Sequence, residues 1–309
     1  MMELPKWYLD SSEELAAAIN NRYMPAFTQL IEETGLQGGD FMAAQTAVST
    51  APAPLTPDVF LARTPYQARA SVISQLEEVV GRGVLTKVGD EVYALTEAGQ
   101  KVAVRIAATA VATGQSITQT MPMESRRLVE RVAAALYGLV QSCIAAPEPP
   151  HPCLERSRFF DPGSDAPIVE RLRRYLNDLS AFRDDAHLAA WQPYSLKGHE
   201  WEAFSHIHGG YVFGERVTTA AELAEKLGSF RGYDAAAYEM ALQKVVERGW
   251  LMVENGRYAP TAAGNQVREA VETETDRLFF TPWQVDESEL NQLKTDLEWL
   301  IAQLQVSQD

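Results

Sequence analysis

A chain of 309 residues with 46% hydrophobic and 22% charged side chains has material for two ordinary domains, and this balance excludes a disordered or fibrous polymer. Its net charge of −15 divides as −5 over residues 1–154 and −10 over the remainder, so neither half offers the basic balance that duplex binders usually show. No apolar run approaches the roughly 18–20 residues that span a bilayer, the start Met1–Lys6 lacks a leader pattern, and Cys143 and Cys153 are the only cysteines. We therefore expect a cytoplasmic protein with unpaired thiols and no membrane contact.

In chain order, Ser11 and Glu14 are spaced as a capping box, and Leu15, Ile19, Tyr23 and Phe27 recur every four residues as the stripe of a first long helix. Val84–Val88 reads as a strand, Gly89-Asp90 as its turn, Val92–Leu95 as the return, and Thr96 as the cap of the next helix. Leu128, Val132, Leu136, Leu139 and Val140 stripe a further long helix. Four prolines in Pro147-Glu148-Pro149-Pro150-His151-Pro152 then break helical continuity. Beyond them, Leu172, Leu176, Leu179 and Phe182 mark a helix starting near Ile168. Thr218–Gly228 reads as a capped amphipathic helix with a glycine stop, and about Asp234 to Arg248 as a second helix closed by Gly249. Trp250–Val253, the turn signal Asn255-Gly256 and Arg257–Pro260 form a hairpin, and Thr261 caps the helix after it. Leu290, Leu293, Leu297, Leu300 and Leu304 stripe the last helix.

The same text occurs twice. Leu36–Ala43 aligns with Leu196–Ala203, Leu76–Leu85 with Leu242–Leu251, and Tyr93–Gly99 with Tyr258–Gly264, at offsets of 160, 166 and 165. Six residues are thus inserted early in the second copy and one is lost later, in segments expected to be loops. We expect a mainly α (α+β) chain with a first unit at 1–146 (its compact middle about 41–105), a Pro-rich linker at 147–166, and a second unit at 167–309 (middle about 201–275).

Leu-x-x-Val-Val-x-Arg-Gly-x-Leu, the hairpin and the closing Thr-x-Ala-Gly, each present twice, resemble the MarR-like winged helix-turn-helix regulators. A subunit of that family has about half this length. The resemblance implies tandem winged helices whose long flanking helices pack as an intramolecular pseudo-dimer. The strings Arg183–Trp191 and Glu274–Leu278 with Pro282-Trp283 are also similar to a group of actinobacterial winged-helix proteins.

The resemblance further implies that the second helix of each motif enters the major groove of double-stranded DNA and the wing follows the backbone. In the first copy Arg63, Thr64, Gln67, Arg69 and Ser71 form the candidate reading head, with ordinary solvated charge as the alternative. The second copy offers the acidic and apolar Tyr233–Glu239, yet carries Arg257 at its wing tip where the first has Asp90-Glu91. Trp191, Trp201, Phe204 and Trp250, with Trp283, are candidates for lining a small aromatic effector site of the MarR kind, or are plain core.

His199, His206 and His208 lie close in sequence but match no known ligand spacing, and His151-Pro152-Cys153 reads as linker. Asp184-Asp185-x-His187 reads as a helix end beside Arg183. No nucleophile elbow, P-loop or dinucleotide fingerprint occurs, and Gly209-Gly210 precede no phosphate-cradling pattern, so we expect no catalysis, metal or cofactor. The leading expectation is a DNA-binding transcriptional regulator. Its alternative is a protein-interaction or ligand-binding module whose DNA surfaces have decayed.

Overall fold

The computed structural model describes residues 4–306, with side chains through Leu304. The first half runs α1 (Trp7–Thr34), α2 (Gly38–Thr50), α3 (Pro57–Arg63), α4 (Arg69–Gly81), the hairpin β1 (Leu85–Gly89) and β2 (Val92–Leu95), α5 (Glu97–Thr120) and α6 (Met123–Ile144). After α7 (Pro152–Arg158) the order repeats. It continues α8 (Ile168–Trp191), α9 (Gly198–Gly209), a short hairpin β3 (Tyr211–Val212) and β4 (Glu215–Arg216), α10 (Ala220–Arg231), α11 (Ala235–Glu247), the hairpin β5 (Leu251–Glu254) and β6 (Arg257–Pro260), α12 (Ala262–Phe280) and α13 (Glu287–Val306).

The repeated motifs have the same physical cause in both halves. Gly83 and Gly249 take φ of 77° and 74°, the left-handed region in which glycine turns the chain from α4 into β1 and from α11 into β5. Thr96 Oγ1 accepts the amide of Gly99 at 2.9 Å and donates to the Gly83 carbonyl at 2.6 Å. Thr261 does the same with Gly264 at 3.1 Å and Gly249 at 2.5 Å. A Cβ on Gly99 would sit 2.1 Å from the Val84 carbonyl oxygen, and one on Gly264 2.0 Å from that of Trp250. Thr-x-Ala-Gly is therefore the joint that lets α5 and α12 press on the backbone ahead of each hairpin.

The length differences also have definite places. The hairpin Tyr211–Arg216 occupies the early insertion, between α9 and α10. The single residue lost later comes from a strand, not a loop. Lys87 pairs with Tyr93 and Gly89 with Val92, so Val88 is bulged out of β1, whereas β5 pairs with β6 without interruption. The first hairpin consequently turns at Asp90-Glu91, with Glu91 at φ 51°, rather than at Gly89-Asp90.

Other boundaries move for local reasons. α1 starts ahead of Ser11, after Lys6, and no side-chain cap closes it. α10 passes through Gly228 and ends at Gly232, whose φ of 75° supplies the left-handed stop. Within the Pro-rich linker, Pro152 opens α7 at a position where a missing N–H costs nothing.

The largest part of the core is a layer of long helices. α1 packs along α13 and α8 along α6, so the opening helix of each half lies on the closing helix of the other. Leu15, Ile19, Leu136, Val140, Leu179, Phe182, Leu297 and Leu300 are buried there. Two smaller cores sit under the hairpins, one around Val72, Leu76 and Tyr93, the other around Leu223, Tyr238, Leu242 and Val245. No helix among the described residues is long and apolar enough to cross a membrane.

Candidate nucleic-acid interface

α3, the turn 64–68 and α4 hold the first-half candidates, and each is already engaged. Arg63 closes α3 and directs Nε and Nη2 onto Asp184 Oδ2 of α8, at 2.8 and 2.7 Å. Arg69, the first residue of α4, is gripped by Asp58 and by Glu91 of the hairpin turn, with Nη2 to Glu91 Oε2 at 2.5 Å. Thr64 donates to the Phe60 carbonyl at 3.2 Å, and Gln67 donates to Ser71 at 3.4 Å. Arg257 on the second hairpin donates to Thr218 Oγ1 at 2.5 Å and lies 3.6 Å from Glu222.

The turn that opens α4 is seated on the second half. The Ala68 amide donates to the Arg231 carbonyl at 2.7 Å. A Cβ on Gly198 would fall 1.9 Å from the Pro65 carbonyl oxygen, and one on Gly232 would fall 2.4 Å from Ser71 Cβ. Two glycines thus admit the turn at backbone contact, and Ser71 points into that junction. Between them Tyr66 packs against Trp191 at 6.2 Å between centroids, under the Arg231 guanidinium at 5.7 Å. Glu202 holds that guanidinium at 2.9 and 2.7 Å. The linker helix adds a second hold. Arg156 donates to the Val59 carbonyl of α3 at 2.6 Å, and Asp185 accepts the Cys153 and Leu154 amides at 2.9 Å each, anchoring the N-terminus of α7 on α8.

Asp184, Asp185 and His187 therefore lie within α8, which continues to Trp191, and each ties that helix to a different neighbour. His187 faces α12 through Thr275 at 3.3 Å and α9 through the Trp201 indole at 3.4 Å; burial pushes its pKa down to about 4. The other histidines diverge. His199 stacks on Tyr233 at 4.2 Å, His206 Nδ1 meets the Tyr211 carbonyl at 3.3 Å, and His208 lies edge-on to Phe204. Burial lowers all three pKa values. Among the described residues no three His, Cys, Asp or Glu side chains converge as metal ligands. Both cysteines are buried free thiols, and burial pushes Cys143 up to about 12.

The aromatic candidates pack on one another. Trp191 and Trp201 stack 5.7 Å apart at 5°, Phe204 lies 5.5 Å from Trp201, and Trp250 lies 5.5 Å from Phe204. Trp283 belongs to the helical layer, 4.8 Å from Tyr8. Two surface cavities lie elsewhere. One of about 500 Å³ runs beside the linker, between Gln141, Pro147, Arg277 and Gln284. The other, about 480 Å³, lies between the N-terminal ends of α10 and α11 and the hairpin β5–β6.

Sequence reasoning missed Tyr66, Gly198, Arg231 and Gly232. Gly198 stood inside a repeated block, opposite Gly38, which has open space around it, so the repeat itself hid the difference.

Compared with known proteins, residues 166–308 match a helix-turn-helix family. That span starts just before α8 and includes α10, α11 and the hairpin β5–β6. Such elements belong to DNA-binding regulation in general terms. None of the curated proteins and none of the solved structures compared with the chain matches it.

Proposed function

We propose that the chain is a tandem winged-helix pseudo-dimer of the MarR type that acts as a regulatory protein through protein contacts, its duplex-reading surfaces given over to other uses. One observation carries this reading: the turn 64–68 and Ser71, which would have to meet base edges, are packed on Gly198, Arg231 and Gly232. The three candidate arginines supply no free charge, since Arg63, Arg69 and Arg257 each face a carboxylate of the same chain. Duplex affinity comes largely from cations that neutralise phosphates and release counterions. Ion pairs within the chain would have to break first.

Double-stranded genomic fragments titrated by fluorescence anisotropy at low salt test it. The expected result is no sequence-specific binding. Tight binding to particular fragments, weakening steeply with added salt, would overturn the reading. A second reading, a DNA-binding transcriptional regulator of the MarR type responsive to an effector, is favoured by the helix-turn-helix match over residues 166–308. It needs the first head to leave its seat on duplex, so it predicts that DNA exposes the Ala68 amide to exchange.

A further inference from the structure

The cavity between α10, α11 and the second hairpin has a composition that suits neither duplex nor an aromatic effector. Its lining includes Thr219, Ala220, Ala236 and Val253 together with the polar Glu239, Gln243 and Tyr258. Glu239 accepts the Tyr258 hydroxyl at 2.6 Å and the Gln243 amide at 3.1 Å, which fixes one carboxylate facing the cavity. Alanines on two helices bring backbone to the surface, where a partner can approach closely. Ala236, Glu239, Met240 and Gln243 follow helical spacing, so one stripe of α11 borders the groove, with Met240 66% exposed and Val253 48% exposed beside it. A flexible thioether at such a rim adapts to the side chains of a docking helix.

The charge around the groove is one-sided. Asp234, Glu239, Glu247 and Glu254 are exposed and make no ion pair among the described residues. Of the nearby cations, Lys244 pairs with Glu200 at 2.5 Å and Arg257 lies 3.6 Å from Glu222, while Arg248 is directed away onto the Tyr194 and Ser195 carbonyls. Phosphates would be repelled by these carboxylates, whereas lysines and arginines would meet acceptors that have no ion-pair partner among the described residues. The equivalent face of α4 lacks this character, carrying Ala70, Ile73, Ser74 and Glu77 at the matching positions.

We propose that this groove docks a basic amphipathic helix of a protein partner, its apolar stripe laid on the alanines and Met240 and its cations against Glu239 and the rim carboxylates. This is helix-in-groove recognition. It rests on the protein-contact reading above and names the surface that performs it.

The probe is a fluorescein-labelled synthetic helix of about five turns with leucines on one face and lysines on the other, titrated against the full chain at physiological salt. The expected result is saturable binding that weakens at least about tenfold in Ala236→Trp, which fills the groove, and in Glu239→Lys, which reverses its charge. Ala70→Trp at the matching first-half position leaves binding unchanged. A peptide that does not bind, or that binds all variants equally through bulk charge, overturns the proposal while leaving the protein-contact reading standing. Duplex DNA that displaces the peptide overturns both. Unchanged melting of Glu239→Lys separates loss of docking from loss of fold.

Discussion

The segments α3–α4–β1–β2 and α10–α11–β5–β6 run through the same order of elements and differ in what their second helices face. α4 begins against the other half of the molecule, held by Gly198, Gly232 and the Ala68–Arg231 hydrogen bond, while α11 begins in solvent beside an open groove. Below these surfaces the two are built alike, with the same threonine cap, the same left-handed glycine and the same glycine pressed on a carbonyl. Packing constrains the threonine caps and the glycines flanking each hairpin alike in both halves. The polar surfaces differ: the start of α4 is packed on the second half, while α11 borders a groove lined in part by Glu239.

The shared skeleton gives the largest expected effect. Gly99→Ala and Gly264→Ala should each cost about 3 kcal/mol, because an added methyl would overlap a fixed carbonyl oxygen. Equal losses in chemical denaturation support a common joint, and a loss in one half alone breaks the symmetry. Gly198→Ala should cost less, about 1–2 kcal/mol, since the turn 64–68 can lift off as a body. It should accelerate amide exchange at residues 66–70 while leaving α11 protected. Unchanged exchange there would mean that the turn is held from its own side only.

His187 distinguishes the second half at low pH. Its pKa is depressed from 6.5 to about 4, so the unfolded chain takes up the proton first. The stability this neutral histidine contributes is complete above about pH 6.5 and falls away as the pH drops toward 4. His187→Gln should flatten this part of the pH–stability curve, and an unaltered slope would assign the loss to other groups. The smallest effect belongs to Asp184→Asn, which removes the half-exposed partner of Arg63 and should cost no more than about 1 kcal/mol.

Much of this architecture is legible in the sequence because it rests on local chemistry. The leucine stripes, the threonine caps and the Asn255-Gly256 turn each state their structure within a few residues, and the repeated blocks supply a second reading of the elements they cover. Local chemistry also explains where reading erred. Gly89 followed by Asp90 resembles a turn, but a bulge at Val88 moves the reversal one residue on. Gly228 resembles a stop, but the left-handed residue is Gly232. The fate of the candidate site was not legible, since Arg63 meets Asp184 and Ala68 meets Arg231 across more than a hundred residues of chain. No periodicity reports such a contact. The aromatic residues showed the same limit, because spacing cannot tell a lined cavity from rings packed on one another.

Hydrogen exchange at the Ala68 amide reports whether the turn that opens α4 is packed on the second half. This amide, bonded to the Arg231 carbonyl at 2.7 Å, should exchange only with opening of the junction and therefore slowly, at a rate that Gly198→Ala raises. Exchange as fast as that of an exposed loop in the unmodified protein would contradict this seating and would free Ser71 from the junction with Gly232.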